Sequence, residues 1–258
     1  MGSKPTTARR HFRTAVLAFA CLAALAAPFA GSASAAPDGL NGIGPGSPLL
    51  ITRNGGTFGC TANFIWQSGS SKYLGTAGHC LTGSTRVRVC ATNCVFGSTT
   101  NVGNALGLVE LCGPTTAACS FPVVADNNEG NDFGLIPLSA VSAASLRREV
   151  PIFGGPNGEA SVGFGSKLCM YGTGVGPGDV IATKGRVAVG ISSDATTWFS
   201  HGVATPGDSA APVSQLTTGA AIGLQTHIAC AGPSGMCGTT ATRARALAAT
   251  QGLTITLW

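Results

Sequence analysis

From Leu49 onward the chain is punctuated so often that nothing longer than a short strand fits through most of its length. Runs such as TANFIW, SKYLGTAG, TRVRVCA, LGLVEL, FPVVA and DFGLIPL, then VPIF, SKLCMYG, DVIATKGRVAVGI, TWFSHGV, APVSQL and AAIGLQTHI, are each closed by turn residues. The 38 glycines and 14 prolines supply those turns, glycine by tolerating positive φ and proline by fixing it. The architecture expected is all-β, with about a dozen strands in two sets of six. Between the sets, SAVSAASLRREV (Ser139 to Val150) reads as a surface linker, with Arg147 and Arg148 on its solvated face. The exception to the β pattern is TRARALAATQGL near the end, which has strong helix formers and a Gly252 stop. No repeat of fixed period is present.

Residues 1–35 read as an export signal: Arg9, Arg10 and Arg13 precede the apolar run TAVLAFACLAALAAPFA, and Ala33-Ser34-Ala35 is a small-residue cleavage site. The Arg9-Arg10 pair leaves the export route open between the general and twin-arginine pathways. Secretion to the extracellular space is expected, with no membrane span later in the chain. Four of the 15 basic residues leave with the signal, so eleven face ten acidic ones and the net charge falls to about +1. That near-neutral balance gives no reason to expect nucleic acid or anionic membrane as a partner. The segment that follows, 36–48, is rich in glycine and proline and reads as a short flexible lead rather than a folded pro-segment.

Nine cysteines remain after the signal, Cys60, Cys80, Cys90, Cys94, Cys112, Cys119, Cys169, Cys230 and Cys237, so at least one is unpaired in a monomer. An oxidising compartment favours disulfides over zinc, since the close pairs lack histidines at zinc spacing. No metal or cofactor constellation is visible.

A nucleophilic serine needs a base to take its proton and a third group to fix that base's tautomer. His79 in TAGHC, Asp132 at the mouth of the run in NDFGLIPL, and Ser209 in the turn TPGDSAAPV offer that set. Gly207 would let the turn bend so that its N–H and that of Ser209 converge as an oxyanion hole.

In this order, TAGHC, NDFGLI and ATPGDSAAPV resemble the chymotrypsin-like serine proteases, most closely the secreted bacterial streptogrisin and alpha-lytic type. The likeness runs from about Gly55 to the C-terminus and includes GCTANF and the closing helix. It implies two six-stranded antiparallel β-barrels, 49–140 carrying His79 and Asp132 and 141–258 carrying Ser209, and a monomer acting on polypeptide without a cofactor. It also implies a Cys60–Cys80 bridge beside His79, with Gly78 allowing a tight turn.

The chain departs from that pattern in several places. Ala210 and Ala211 stand where the family has two glycines, and a methyl group is costly there if the backbone needs positive φ. Val203 replaces a cysteine, so Cys237 is expected to pair locally with Cys230. The substrate-pocket wall falls on Val203, Thr226, His227 and Ile228: Ile228 would narrow the pocket toward small side chains, while His227 would attract an acidic one. Met170 follows Cys169 where relatives carry an arginine, which leaves Asp208 without an obvious partner; Cys169 in turn lacks the partner it has in the family and is the candidate free thiol. The pairing of Cys90, Cys94, Cys112 and Cys119 stays open. Two functions fit: a serine endopeptidase working through an acyl-enzyme, or a catalytically impaired homologue that binds.

Overall fold

The computed structural model describes residues 42–91, 108–126, 128–174, 184–230 and 232–258, all within one compact unit spanning Pro37–Trp258. The signal region and Cys94 lie outside the described residues. Among the described residues, no helix is long and apolar enough to cross a membrane.

The first strands are set by local turn chemistry. β1 (Pro48–Arg53) and β2 (Gly56–Thr61) form a hairpin around Asn54-Gly55, whose φ values of 50° and 76° are those a two-residue turn of mirror-image type requires. β3 (Ile65–Ser68), β4 (Ser71–Thr76), β5 (Arg86–Cys90), β6 (Leu108–Cys112), β7 (Val123–Ala125) and β8 (Asp132–Pro137) complete this half. They fall into sheets ordered β2-β1-β5-β6 and, apart from a later strand, β3-β4-β8-β7. The two sheets are continuous at a corner. Between β2 and β3 the Ala62 N–H still donates to Ser47 O, and the Asn63 N–H turns to Gly75 O on the other sheet. β2/β3 serves both sheets as one bent strand, the usual way to turn a corner, and the chain passes from β6 in one sheet to β7 in the other through the loop 113–122, so six strand positions surround one core. Leu49, Ile51, Phe64, Trp66, Leu74 and Leu135 fill it and are fully buried. Trp66 meets Phe133 edge to face at 5.7 Å.

The second ring runs β13 (Ala221–Leu224), β12 (Pro212–Gln215), β9 (Lys167–Tyr171), β10 (Gly185–Ser193), β11 (Thr197–His201) and β15 (Gly235–Thr239). A bridge from Gly223 to Thr240 closes it, and β14 (His227–Ile228) hangs on β15 as a short extra strand. Leu168, Met170, Trp198, Val213, Ile222 and Met236 form its core, with the indole N–H of Trp198 donating to Leu224 O at 3.2 Å. Helix α2 (Ala241–Thr250) follows; Thr240 caps it by accepting the Arg243 N–H at 3.0 Å, and Gly252 at φ 79° ends it. The short helix α1 (Gly78–Leu81) carries His79. The fold is all-β with two six-stranded barrels, as the sequence implied.

Three local readings change. VPIF is a turn, not a strand: Val150 O accepts the N–H of Gly154, and Gly154 and Gly155 both sit at positive φ. The lead is docked from Gly42 on; Ile43 is fully buried and bonded to the linker through Ser145 O and the Arg147 N–H. Arg147 is not on a solvated face. Its guanidinium donates to Pro45 O and Glu149 O, and burial pulls its pKa down to about 10. The last strand, β16 (Thr256–Leu257), crosses back to pair with β3.

Candidate active site

Asp132 opens β8 and is 2% exposed. Its carboxylate takes two bonds from one residue: Oδ1 accepts the backbone N–H of His79 at 2.8 Å, and Oδ2 lies 2.6 Å from His79 Nδ1. With the backbone of His79 and its ring each held by the carboxylate, and a carboxylate able only to accept, the neutral ring carries its proton on Nδ1 and leaves Nε2 as the acceptor, the tautomer a general base requires. Gly78 is needed here for space rather than for a tight turn. A Cβ on it would stand 2.3 Å from Val124 O, so α1 approaches β7 more closely than any side chain allows. The second barrel supports the acid: Asp132 N–H faces Thr239 Oγ1 at 3.3 Å, and Arg243 of α2 grips Asn131 Oδ1 at 2.6 and 2.8 Å.

The Cys60–Cys80 disulfide joins β2 to the residue after His79. One residue past Cys60, Thr61 reaches across to the serine turn, with its N–H on Ser209 O and its Oγ1 on Gly207 O, both at 2.8 Å. Thus the His79 and Ser209 segments hang on the same short stretch of β2. Gly207 has φ 98°, and a Cβ there would meet Gly174 Cα at 3.0 Å. Asp208 O accepts the Ala211 N–H at 2.7 Å, which turns the N–H of Ser209 the opposite way. Among the described residues neither the Gly207 nor the Ser209 N–H has an intramolecular acceptor, so both are available to an incoming oxyanion.

Asp208 is 1% exposed and does have a partner, contrary to the sequence expectation. Arg186 donates to both of its oxygens, at 2.7 Å to Oδ2 and 2.5 Å to Oδ1. The N–H groups of Gly174 and Thr205 and the Thr205 hydroxyl complete a five-donor cage. Arg186 pairs across the sheet with Met170, so the guanidinium arrives from the strand beside the position where the sequence pattern looked for it. The cage leaves no room for side chains at Gly172 or Gly174, where a Cβ would fall 2.1 and 2.7 Å from the carboxylate.

Ala210 is fully buried and lies at φ 75°, the region that favours glycine. Beside it is a pocket of about 90 Å³ lined by Thr205, Pro206, Asp208, Ser209, Gln225, Thr226 and Ile228. Thr226 and Ile228 contribute to it; Val203 and His227 do not, and His227 Nδ1 is instead 2.9 Å from Thr226 Oγ1. Val203 is exposed and uses its carbonyl to accept from Arg186.

Cys230 and Cys237 are bridged behind the pocket wall, and Cys112 pairs with Cys119. Cys90 is disulfide-bonded as well. Cys169 is the free thiol among the described residues; burial pushes its pKa up to about 11. One His/Cys group among the described residues is close enough to hold a metal, namely Cys60, His79 and Cys80. Its sulfurs are consumed by the disulfide, which leaves a single donor.

No family model and no curated protein matches the chain. Solved structures do. A glutamic acid specific serine protease that uses a histidine triad in substrate binding is 17% identical, with 84% of this chain and all of that one covered at a TM-score of 0.52. HL collagenase is 15% identical over 83% of this chain and 97% of its own, at 0.54. The protease Anisep from Arthrobacter nicotinovorans is 14% identical over 77% and 92%, at 0.52. The fold of this chain is that of the chymotrypsin-like serine proteases.

Proposed function

We propose that the chain is a secreted serine endopeptidase whose catalytic groups are His79, Asp132 and Ser209, with the N–H groups of Gly207 and Ser209 as the oxyanion hole. The observation that carries the reading is the two-point grip of Asp132 on His79, on a helix that the Cys60–Cys80 disulfide ties to the strand that also anchors the Ser209 turn. In this reading Ser209 Oγ attacks the peptide carbonyl carbon and passes its proton to His79 Nε2. Asp132 stabilises the imidazolium, and the carbonyl oxygen takes its negative charge to the two N–H groups. The C–N bond then breaks as Nε2 returns the proton to the departing amine, and water repeats the sequence on the acyl-enzyme. The division of labour follows the two barrels, 49–140 supplying base and acid and 141–258 the nucleophile.

The test is covalent labelling of the mature protein by a fluorophosphonate, read by intact mass. One equivalent on the wild type and none on Ser209→Ala is expected, and Asp132→Asn should label roughly 10⁴-fold more slowly, since the ring then loses its tautomer. A second reading, a binding protein with an impaired turn, draws on Ala210 at φ 75°. A folded wild type that takes no label would replace the first reading with the second.

A further inference from the structure

Asn63 sits at the corner between β2 and β3, fully buried among Ala62, Phe64 and Trp66. An amide there is a burden to folding unless its hydrogen bonds are made, and its Oδ1 has no partner among the described residues. Its Nδ2, by contrast, has two acceptors, Ala210 O at 3.3 Å and Gly223 O at 3.2 Å. Through that one nitrogen the side chain ties the residue after the nucleophile to Gly223 of β13.

The two peptide planes that flank the Ala210 Cα are each held at both ends. In the first, Ser209 O accepts from the Thr61 N–H at 2.8 Å while the Ala210 N–H donates to Gln225 O at 2.6 Å. In the second, the Ala211 N–H donates to Asp208 O at 2.7 Å while Ala210 O accepts from Asn63. With both planes fixed, the φ of Ala210 cannot relax out of the left-handed region that its methyl group disfavours. Three of the four bonds are backbone to backbone; Asn63 supplies the side-chain one. If the second plane swings, the strain at Ala210 is released by rotating the first, and that plane begins at Ser209.

We propose that Asn63 is a positioning residue for the nucleophile, holding Ala210 in the left-handed conformation so that Ser209 and its N–H keep their places. The inference rests on the protease reading above. It assigns a side chain from the His79 half of the molecule to the geometry of the Ser209 half.

The experiment compares the fluorophosphonate labelling rate, and kcat and KM on a peptide substrate, for wild type, Asn63→Ala, Ala210→Gly and the double variant. Asn63→Ala is expected to label about 100-fold more slowly, the loss seen for small misplacements of a reacting group, with the change in kcat and not in KM. Ala210→Gly alone should stay near wild type. In the double variant glycine adopts positive φ without being held, so most of the labelling rate should return. Should Asn63→Ala fail to fold, Asn63→Ser retains one donor and is expected to give an intermediate rate that Ala210→Gly again restores. Wild-type rates in the Asn63 variants, or a slow variant that Ala210→Gly does not rescue, would overturn the positioning role while leaving the protease reading intact. An unlabelled wild type would overturn both.

Discussion

Arg186→Met removes the guanidinium from Asp208 while keeping an unbranched apolar stem in its place. The carboxylate is 1% exposed and the arginine side chain 9%, so water cannot replace the lost partner without opening the turn. Breaking a buried pair by removing one member costs about 3–5 kcal/mol. Three donors remain on Asp208, from Gly174 and Thr205, which places the expected loss near the lower end, about 3 kcal/mol. For a domain of this size that is a drop in Tm of roughly 6–12 °C. The assay is urea unfolding of the mature, oxidised protein, followed by fluorescence. Arg186→Met with Asp208→Asn removes both charges, and part of the loss should return, because the unpaired ion is gone while the amide nitrogen still faces one backbone N–H that the carboxylate accepted. A single-variant loss below about 1 kcal/mol, the value of an exposed pair, would refute the reasoning. So would a double-variant loss equal to the sum of the two single ones, since the charges would then be uncoupled.

Two further outcomes follow from the pocket and the free thiol. The pocket is small, its one carboxylate is consumed by Arg186, and His227 is not part of its lining, so peptide profiling should show a small uncharged residue before the cut bond. Ile228→Gly should extend the preference to larger side chains, and a wild-type preference for Lys, Arg or Glu would refute this account of the pocket. Cys169 should resist iodoacetamide at pH 8 in the folded protein and react as one equivalent after denaturation, because the raised pKa of about 11 keeps it a protonated thiol. The same shift lowers stability between about pH 9.0 and 11: the unfolded chain loses the proton there while the folded chain retains it, so deprotonation favours unfolding. Urea midpoints for wild type and Cys169→Ala should run parallel below pH 9.0, and above it the wild type should fall relative to the variant; profiles parallel throughout would show that the thiol does not titrate in this way.

What could be read from the sequence was local chemistry. TAGHC, ND and GDS each carry a candidate catalytic side chain in a short local motif, and strand runs bounded by glycine and proline announce themselves. What could not be read were the partners that cross-strand register supplies. Arg186 meets Asp208 only because it stands opposite Met170 in the sheet, and no spacing along the chain encodes that pairing. Gly78 was legible as a glycine but not for its reason, which is the carbonyl of a strand more than forty residues away. The lead segment looked unstructured because its glycines and prolines dominate the composition. Yet Ile43 is buried against the linker and bonded to it, and Pro45 O accepts from Arg147, so the segment is docked from Gly42 on.

The supports of the site also exchange sides. The Ser209 turn in the second barrel is held by Thr61 and Asn63 of the first, and Asp132 and Asn131 in the first are held by Thr239 and Arg243 of the second. In the proposed reading neither half therefore presents its candidate catalytic groups in finished geometry without the other, and β16 returning to β3 ties the end of the chain to the first barrel. A chain in which one barrel has folded first would carry the residues of the site without the base, nucleophile and oxyanion donors in register. Destabilising either barrel should lower the labelled fraction and the folded fraction together, and a folded population that takes no label is the specific signature of a fault confined to Ala210 and its clamp.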